Sequence, residues 1–223
     1  MWLTNSSVGR KVVMSVTGLF LILFLTFHAL MNAVALIRFE YYEAVCEFLG
    51  ANWYALVGTA ILAAGFLLHI VFAFWLTWQN RRARGNNAYE MSRKPATVEW
   101  ASQNMLALGI VVLCFIVLHL AQFWAKMQLP ELFGIGNFEN NPYLLLTTTF
   151  GKWWVLLIYI IWFVAIFLHL SHGFWSMFQS VGWNNQTWMK RLKVIGIVVA
   201  ALICLMFLAT AVNAFLQAHG LIG

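Results

Sequence analysis

Four histidines stand deep inside long apolar stretches of the sequence, and a fifth lies one helical turn from the last of them. The four are His28, His69, His119 and His172, and the fifth is His169. Burying an imidazole among apolar side chains is costly unless its ring nitrogens find a partner. Because each of the four lies on a different stretch, metal ligation and hydrogen bonding between helices are the two kinds of chemistry to weigh.

The composition is that of an integral membrane protein. Of the 223 residues 63% are hydrophobic and 9% are charged, whereas a soluble domain carries about 25% charged residues. Five runs lack Asp, Glu, Lys and Arg, and each is long enough for a membrane span of roughly 20 residues. These runs are 12–37, 48–80, 100–125, 153–189 and 194–223. We predict an all-α bundle of five transmembrane helices in one membrane domain, residues 1–223. The helices are expected at about 12–37, 53–78, 98–126, 151–181 and 191–217.

The N-terminal stretch and the cysteines exclude several alternatives. The first apolar run is too long for a signal peptide and lacks a convincing small-residue cleavage site, so we expect it to be retained. Cys46, Cys114 and Cys204 show no paired spacing. Neither a cysteine-based zinc site nor a covalently attached c-type haem is therefore expected.

Basic residues are distributed unevenly between the two ends of the predicted bundle. Ten of them fall on the side of the N-terminus: Arg10, Lys11, Arg81, Arg82, Arg84, Arg93, Lys94, Lys190, Arg191 and Lys193. Only Arg38, Lys126 and Lys152 fall on the other side. By the positive-inside rule the N-terminus is expected in the cytoplasm and the C-terminus outside. This topology accounts for the basic loops, and no nucleic acid partner is expected.

The histidines form two depth-matched pairs when the rise of a helix, about 1.5 Å per residue, is applied. His28 and His119 lie 17 and 19 residues beyond Lys11 and Trp100, so both are roughly 25–28 Å from the cytoplasmic edge. We call them the outer pair. His69 and His172 lie 10 residues before Gln79 and Gly182, roughly 15 Å from that edge, and form the inner pair. His169 lies one turn deeper and matches His69 less well.

Two paired layers favour axial ligation of haem over the alternatives. Two facing imidazoles, with neither Cys nor carboxylate nearby, suit bis-histidine ligation of a b-type haem in a helical bundle. Ion or proton transport would usually place carboxylates or arginines inside the spans, and zinc would need three or four ligands at one depth. A purely structural anchor leaves four buried imidazoles without a role. We predict two haems b, one per layer.

Three segments carry a family resemblance that extends over nearly the whole chain. They are SSVGRKVVMSVTGLFLILFLTFHALMN, GFLLHIVFAF followed by RRAR, and HLSHGFWSMFQSVGW. They resemble the single-chain, five-helix, di-haem cytochrome b subunit of bacterial succinate dehydrogenase and quinol:fumarate reductase.

The resemblance implies a membrane anchor in the bacterial cytoplasmic membrane. It would bind a flavoprotein subunit and an iron–sulfur subunit on its cytoplasmic face. It would pass electrons between the iron–sulfur subunit and a quinone, menaquinone or another, with the dicarboxylate active site on a partner subunit. The same chemistry would also serve a di-haem b anchor of a quinone-linked hydrogenase or formate dehydrogenase, whose partners lie outside in most such complexes.

The resemblance also assigns the ligands. His28 and His119 match the ligands of the outer haem, and His69 and His172 match those of the inner haem. His172 is chosen over His169 because the family ligand on that helix is the histidine directly before glycine. Gly173 would then let the macrocycle approach the helix backbone. His169 is expected to be a neighbour that forms a hydrogen bond to a haem carboxylate or to an adjacent helix. Some family members carry a glutamate two residues before the fourth ligand, where this chain has Leu170.

Charged residues at the two ends of the predicted bundle are candidates for roles in this electron transfer. Quinol oxidation releases protons, and the carboxylates available near the outer haem are Glu40, Glu43 and Glu47. Residues at the basic end are placed to pair with the carboxylates of the inner haem: Arg10, Lys11, Lys190, Arg191 and Lys193. The loop 79–97 is a candidate contact for the soluble subunits.

Overall fold

The protein is helical throughout the part of the chain that the structure describes. This structure, a computed structural model, describes residues 6–50, 53–84, 100–133, 141–183 and 185–222. Helices account for 92% of these residues, and no strand occurs among them. Five helices are long and apolar enough to cross a membrane. The all-α class and the multi-pass membrane character are therefore confirmed.

Shorter helices accompany the five spans. In chain order the elements are α1 (Ser7–Ala33) with a 3₁₀ turn (Val34–Leu36), α2 (Phe39–Gly50), α3 (Trp53–Arg84), α4 (Trp100–Gln103), α5 (Met105–His119), a π-helical segment (Leu120–Trp124), α6 (Ala125–Phe133), α7 (Pro142–Phe150), α8 (Trp153–Ser180) and α9 (Gln186–Ala218). The spans are α1, α3, the segment from α5 into α6, α8 and α9.

Three helices begin at polar caps. The side chains of Ser6, Asn141 and Asn185 accept hydrogen bonds from backbone amides in the first turns of α1, α7 and α9, at 2.8–3.0 Å. Such caps satisfy amides that have no partner within the helix. After α8 the chain turns at Gly182, whose φ of +94° favours glycine.

The helices extend further than the charge-free runs predicted. Arg10 and Lys11 lie within α1, Arg81 and Arg82 within α3, and Lys190 within α9. Lys and Arg are good helix formers, and their long stems let the charged groups reach the membrane surface from within a helix. A change from apolar to basic residues therefore does not mark the end of a helix in this chain.

Two helices, α2 and α7, occupy connections that were expected to be loops. Tyr42 of α2 and Leu146 and Phe150 of α7 belong to the buried core. The rings of Phe39 and Tyr143 join the two helices, with centroids 4.1 Å apart. Burial raises the pKa of the Tyr42 hydroxyl and raises the pKa of Cys46 in the next turn to about 11. Both side chains are therefore protonated at neutral pH.

The core of the bundle is formed by α1, α8 and α9, with α3 against α1 and α5 against α8. In the most apolar 18-residue stretch of α8, and likewise of α9, 33% of the residues are buried. In the corresponding stretches of α3 and of the span that contains α5, only 6% are buried. Close contacts at glycines fix the packing: a Cβ at Gly65 would lie 2.7 Å from the Phe20 ring, and one at Gly196 would lie 3.1 Å from Phe174. The chain thus places two histidines, His69 and His119, on flanking helices.

Candidate functional site

The outer pair meets between α1 and α5. The ring centroids of His28 and His119 are 5.9 Å apart, and the ring planes are nearly perpendicular, at 84°. A metal held on opposite sides by two imidazoles, at about 2 Å per metal–nitrogen bond, has ring centroids roughly 6 Å apart. The separation of the two rings therefore fits a pair of axial ligands.

A π-helical segment follows His119 directly. Residues Leu120–Trp124 form it, between α5 and α6. Such wide turns inside α-helices are rare and occur frequently at functional sites. Here the segment carries Gln122, whose side-chain oxygen accepts a hydrogen bond of 2.7 Å from the Tyr159 hydroxyl of α8.

Tyr159 in turn determines which nitrogen of His119 is available. Its oxygen lies 3.4 Å from Nδ1 of His119. Because the hydroxyl proton is donated to Gln122, the tyrosine oxygen can only accept, and Nδ1 must be the protonated nitrogen of that imidazole. This tautomer leaves the lone pair on Nε2, free to bind a metal.

His28 is held by aromatic neighbours and by its backbone. Its ring stacks on Phe24, with centroids 5.5 Å apart, and lies 5.6 Å from the ring of Phe207 on α9. Its carbonyl accepts a 2.8 Å hydrogen bond from the side chain of Asn32. The carbonyl of Asn32 accepts from the Thr210 hydroxyl of α9 at 3.4 Å. The position of His28 is therefore set by contacts from both α1 and α9.

The first member of the inner pair, His69 of α3, lies against α1. Its Nδ1 is 3.1 Å from the hydroxyl oxygen of Thr17, and a Cβ at Gly18 would lie 3.5 Å from its Cε1. The Thr17 hydroxyl donates to the carbonyl of Val13 at 2.9 Å. Its oxygen therefore accepts a hydrogen bond from Nδ1–H, and Nε2 carries the lone pair, as in His119. A hydrogen bond of this kind orients a metal-binding histidine and fixes its tautomer.

The second member, His172 of α8, is buried with 8% of its surface exposed. The ring of Trp175 meets it edge-on at 4.7 Å, and the ammonium of Lys193 lies 4.5 Å from the centroid of that tryptophan ring. A Cβ at Gly173 would have no neighbour within 4 Å. Lys193 is thus connected to the inner pair through Trp175.

His169 also belongs to this layer. A Cβ at Gly109 of α5 would lie 3.6 Å from its Cε1. His169 lies one helical turn from His172 on α8. Among the described residues, no group of three or more His, Cys, Asp or Glu side chains has the geometry to hold a metal ion. A bis-imidazole site requires only two.

The other residues singled out in the sequence lie around these layers. Leu170 packs against the hydrophobic core. Of the three glutamates of α2, Glu40 and Glu47 are exposed and Glu43 is partly buried. The guanidinium of Arg10 lies 5.3 Å from the ring of Trp75. The loop 79–97 lies outside the described residues beyond residue 84, as does Val98, the expected start of the third span.

Sequence reasoning did not identify the residues that orient the histidines. They are Thr17, Gln122 and Tyr159, each a polar group within an apolar span. Polarity alone could have singled them out, because a hydroxyl or amide in hydrocarbon needs a partner. Which histidine each one contacts depends on helix packing and cannot be read from spacing.

We expect Thr17→Val to weaken metal binding at the inner layer. The change keeps the volume and shape of the side chain and removes the oxygen that accepts from Nδ1 of His69. Loss of such an orienting group typically costs about 10- to 100-fold in affinity. Thr26→Val is the matched control, since the Thr26 hydroxyl donates to Ile22 of its own helix. Cofactor content after stepwise detergent washing measures the effect. Equal retention by both variants would contradict the assigned role of Thr17.

Comparison of the chain with family models, with curated proteins and with solved structures gave no match.

Proposed function

We propose that this chain is the di-haem cytochrome b subunit of a succinate:quinone oxidoreductase. Two observations of the same kind support it: in each layer a histidine, His69 or His119, directs Nδ1 to a hydroxyl whose own proton is donated elsewhere. The observation that carries most weight is the separation of 5.9 Å between the rings of His28 and His119. His28 and His119 would hold the iron of one haem, which would supply a one-electron redox centre at the outer layer.

In each proposed pair one histidine lies on a flanking helix, His119 on α5 or His69 on α3, and the other lies on a helix of the core, His28 on α1 or His172 on α8. Haem b supplies a one-electron redox centre when bound. The chain contributes the four ligands, fixes two of their tautomers through Thr17 and Tyr159, and surrounds both layers with apolar side chains that exclude water. Binding energy at the two pairs would also hold the sparsely buried helices α3 and α5 in place.

The proposed orientation follows the ten-to-three distribution of basic residues. It places the ends of α1, α3 and α9 that carry Arg10, Arg81 and Arg191 in the cytoplasm. The flavoprotein and iron–sulfur subunits would bind there, on the side nearer His69 and His172. The quinone would react at the other face, near the outer pair, where the glutamates of α2 are candidate proton acceptors.

Affinity purification distinguishes this assignment from its relatives. The chain carrying a C-terminal tag, extracted in a mild detergent, is expected to retain a flavoprotein and an iron–sulfur protein and to couple succinate oxidation to reduction of a quinone analogue. Retention of a hydrogenase or a formate dehydrogenase would instead identify the alternative complex. Treatment of intact and disrupted spheroplasts with protease, followed by detection of the tag, tests the orientation. A tag cleaved only after disruption would contradict an external C-terminus.

A further inference from the structure

Two buried nitrogens in the seam between α5 and α8 lack a hydrogen-bond partner. Among the described residues, the buried side-chain nitrogen or oxygen atoms that lack a hydrogen-bond partner are Nε1 of Trp162 and Nδ1 of His169. Trp162 is only 7% exposed. In an apolar membrane interior an unsatisfied N–H is unfavourable, because neither water nor lipid tails can accept from it. Native proteins satisfy nearly all such groups, so each of these needs an explanation.

The two nitrogens are placed in register with the two histidine layers. Trp162 and His169 are seven positions apart on α8, about 10 Å along one face of the helix. Trp162 lies beside the outer pair, with its ring centroid 5.6 Å from that of His119. His169 lies three positions, about one helical turn, from His172 of the inner pair on the same helix. One helix face thus presents one unsatisfied nitrogen to each layer.

No group among the residues that the structure describes accepts a hydrogen bond from these nitrogens. Trp162 stacks on Phe115 of α5 at 6.0 Å, and His169 lies against Gly109, which has no side chain. Hydroxyl and amide groups nearby are already engaged, since Tyr159 donates to Gln122. An indole N–H can only donate. The described residues supply no acceptor to Nε1 of Trp162, and the partner that this N–H needs is a group with an acceptor oxygen.

We propose that Trp162 and His169 are positioning residues that donate hydrogen bonds, one at each layer, to an acceptor oxygen of the cofactor bound there. This inference rests on the proposed function. The oxygen belongs to a haem carboxylate or to a quinone carbonyl, which present the same acceptor chemistry. An N–H directed at a redox cofactor stabilises its more negative, reduced form, and hydrogen bonding of this kind is one way in which a protein sets a haem potential.

Removing each donor in turn tests the proposal by redox titration of the assembled complex. Trp162→Phe is expected to lower the midpoint potential of the outer haem alone, and His169→Leu that of the inner haem alone. His169→Asn, whose amide can place an N–H where Nδ1 stands, should restore the value of the unaltered protein. Trp154→Phe is the matched control, because Trp154 is a half-exposed tryptophan of the same helix, and it should change neither potential. Variants that lack one haem assign the two potentials.

Two further measurements separate the possible acceptors. A haem labelled with ¹³C in its carboxylates should show a shifted carboxylate band in redox-difference infrared spectra of Trp162→Phe if the acceptor is a haem carboxylate. If the acceptor is a quinone, the potential shift should vanish in preparations extracted free of quinone. Should Trp162→Phe misfold, 3-benzothienylalanine at position 162 keeps the shape of the indole and replaces its N–H with sulfur.

Each contrary outcome is distinct. Unchanged potentials and an unchanged carboxylate band in both donor variants would overturn the inference, as would equal shifts of both potentials in each variant. Loss of a haem in His169→Leu would make His169 a ligand and not a donor. Absence of haem from the unaltered protein would instead refute the proposed function, and this would be seen before any variant is made.

Discussion

Replacing His172 with alanine is expected to remove one of the two haems b and to leave the other bound. His172 is the most buried histidine of the inner layer, at 8% exposure, and in the proposed function its side chain is the ligand that α8 contributes to the inner haem. Alanine leaves the iron without its second imidazole, so the low-spin spectrum of that haem is lost. The b-type absorbance per chain should fall to about half. The haem that remains shows that the variant is folded.

The matched control for this prediction is His169→Ala. It removes an imidazole from the same helix, one turn away, and is expected to keep both haems. Dithionite-reduced minus oxidised spectra, together with low-temperature electron paramagnetic resonance, count the low-spin centres in each variant. If His169→Ala lost a haem and His172→Ala retained both, the assignment of the two histidines would be reversed.

Replacing His119 with alanine is expected to remove the other haem. His119 is the contribution of α5 to the outer pair, and its ring lies 5.9 Å from that of His28. The variant should keep the inner haem reducible by succinate while reduction of the quinone analogue falls sharply, since the redox centre nearest the external face is gone. The remaining midpoint potential should differ from the one that His172→Ala retains.

A milder change at the outer layer is the replacement of Tyr159, the hydroxyl neighbour of His119. Tyr159→Phe removes the hydroxyl beside Nδ1 of His119 and keeps the aromatic ring in its packing against Phe150, whose centroid is 4.9 Å away. It should retain the outer haem with affinity lowered about 10-fold. Identical spectra and potentials after His119→Ala and His172→Ala would contradict the division of the histidines into two pairs.

The number and class of the helices were predictable because membrane spans are encoded locally. Long runs without charge have one compact solution in a bilayer, a helix that satisfies its own backbone. The short helices were not predictable in this way. Segments such as Phe39–Gly50 and Pro142–Phe150 are too short to be stable alone and fold because Tyr42, Leu146 and Phe150 pack into a shared core.

The site was predictable only in part for a related reason. Counting residues along a straight helix placed His28 and His119 at one depth, and the structure brings their rings together. Counting cannot show which helices are neighbours, so the contact of His69 with Thr17 and the contact of His119 with Tyr159 were not foreseen. The π-helical turn after His119 also depends on packing, because nothing in the letters LAQFW distinguishes it from an ordinary turn.

Haem stoichiometry tests the central proposal most directly. The purified chain, expressed with sufficient haem and extracted in mild detergent, is expected to contain two haems b per polypeptide by the pyridine haemochrome method. Its reduced-minus-oxidised spectrum should resolve into two components with different midpoint potentials. A stably folded, monodisperse protein that contains no haem, and that binds none when haem is added, would contradict the account.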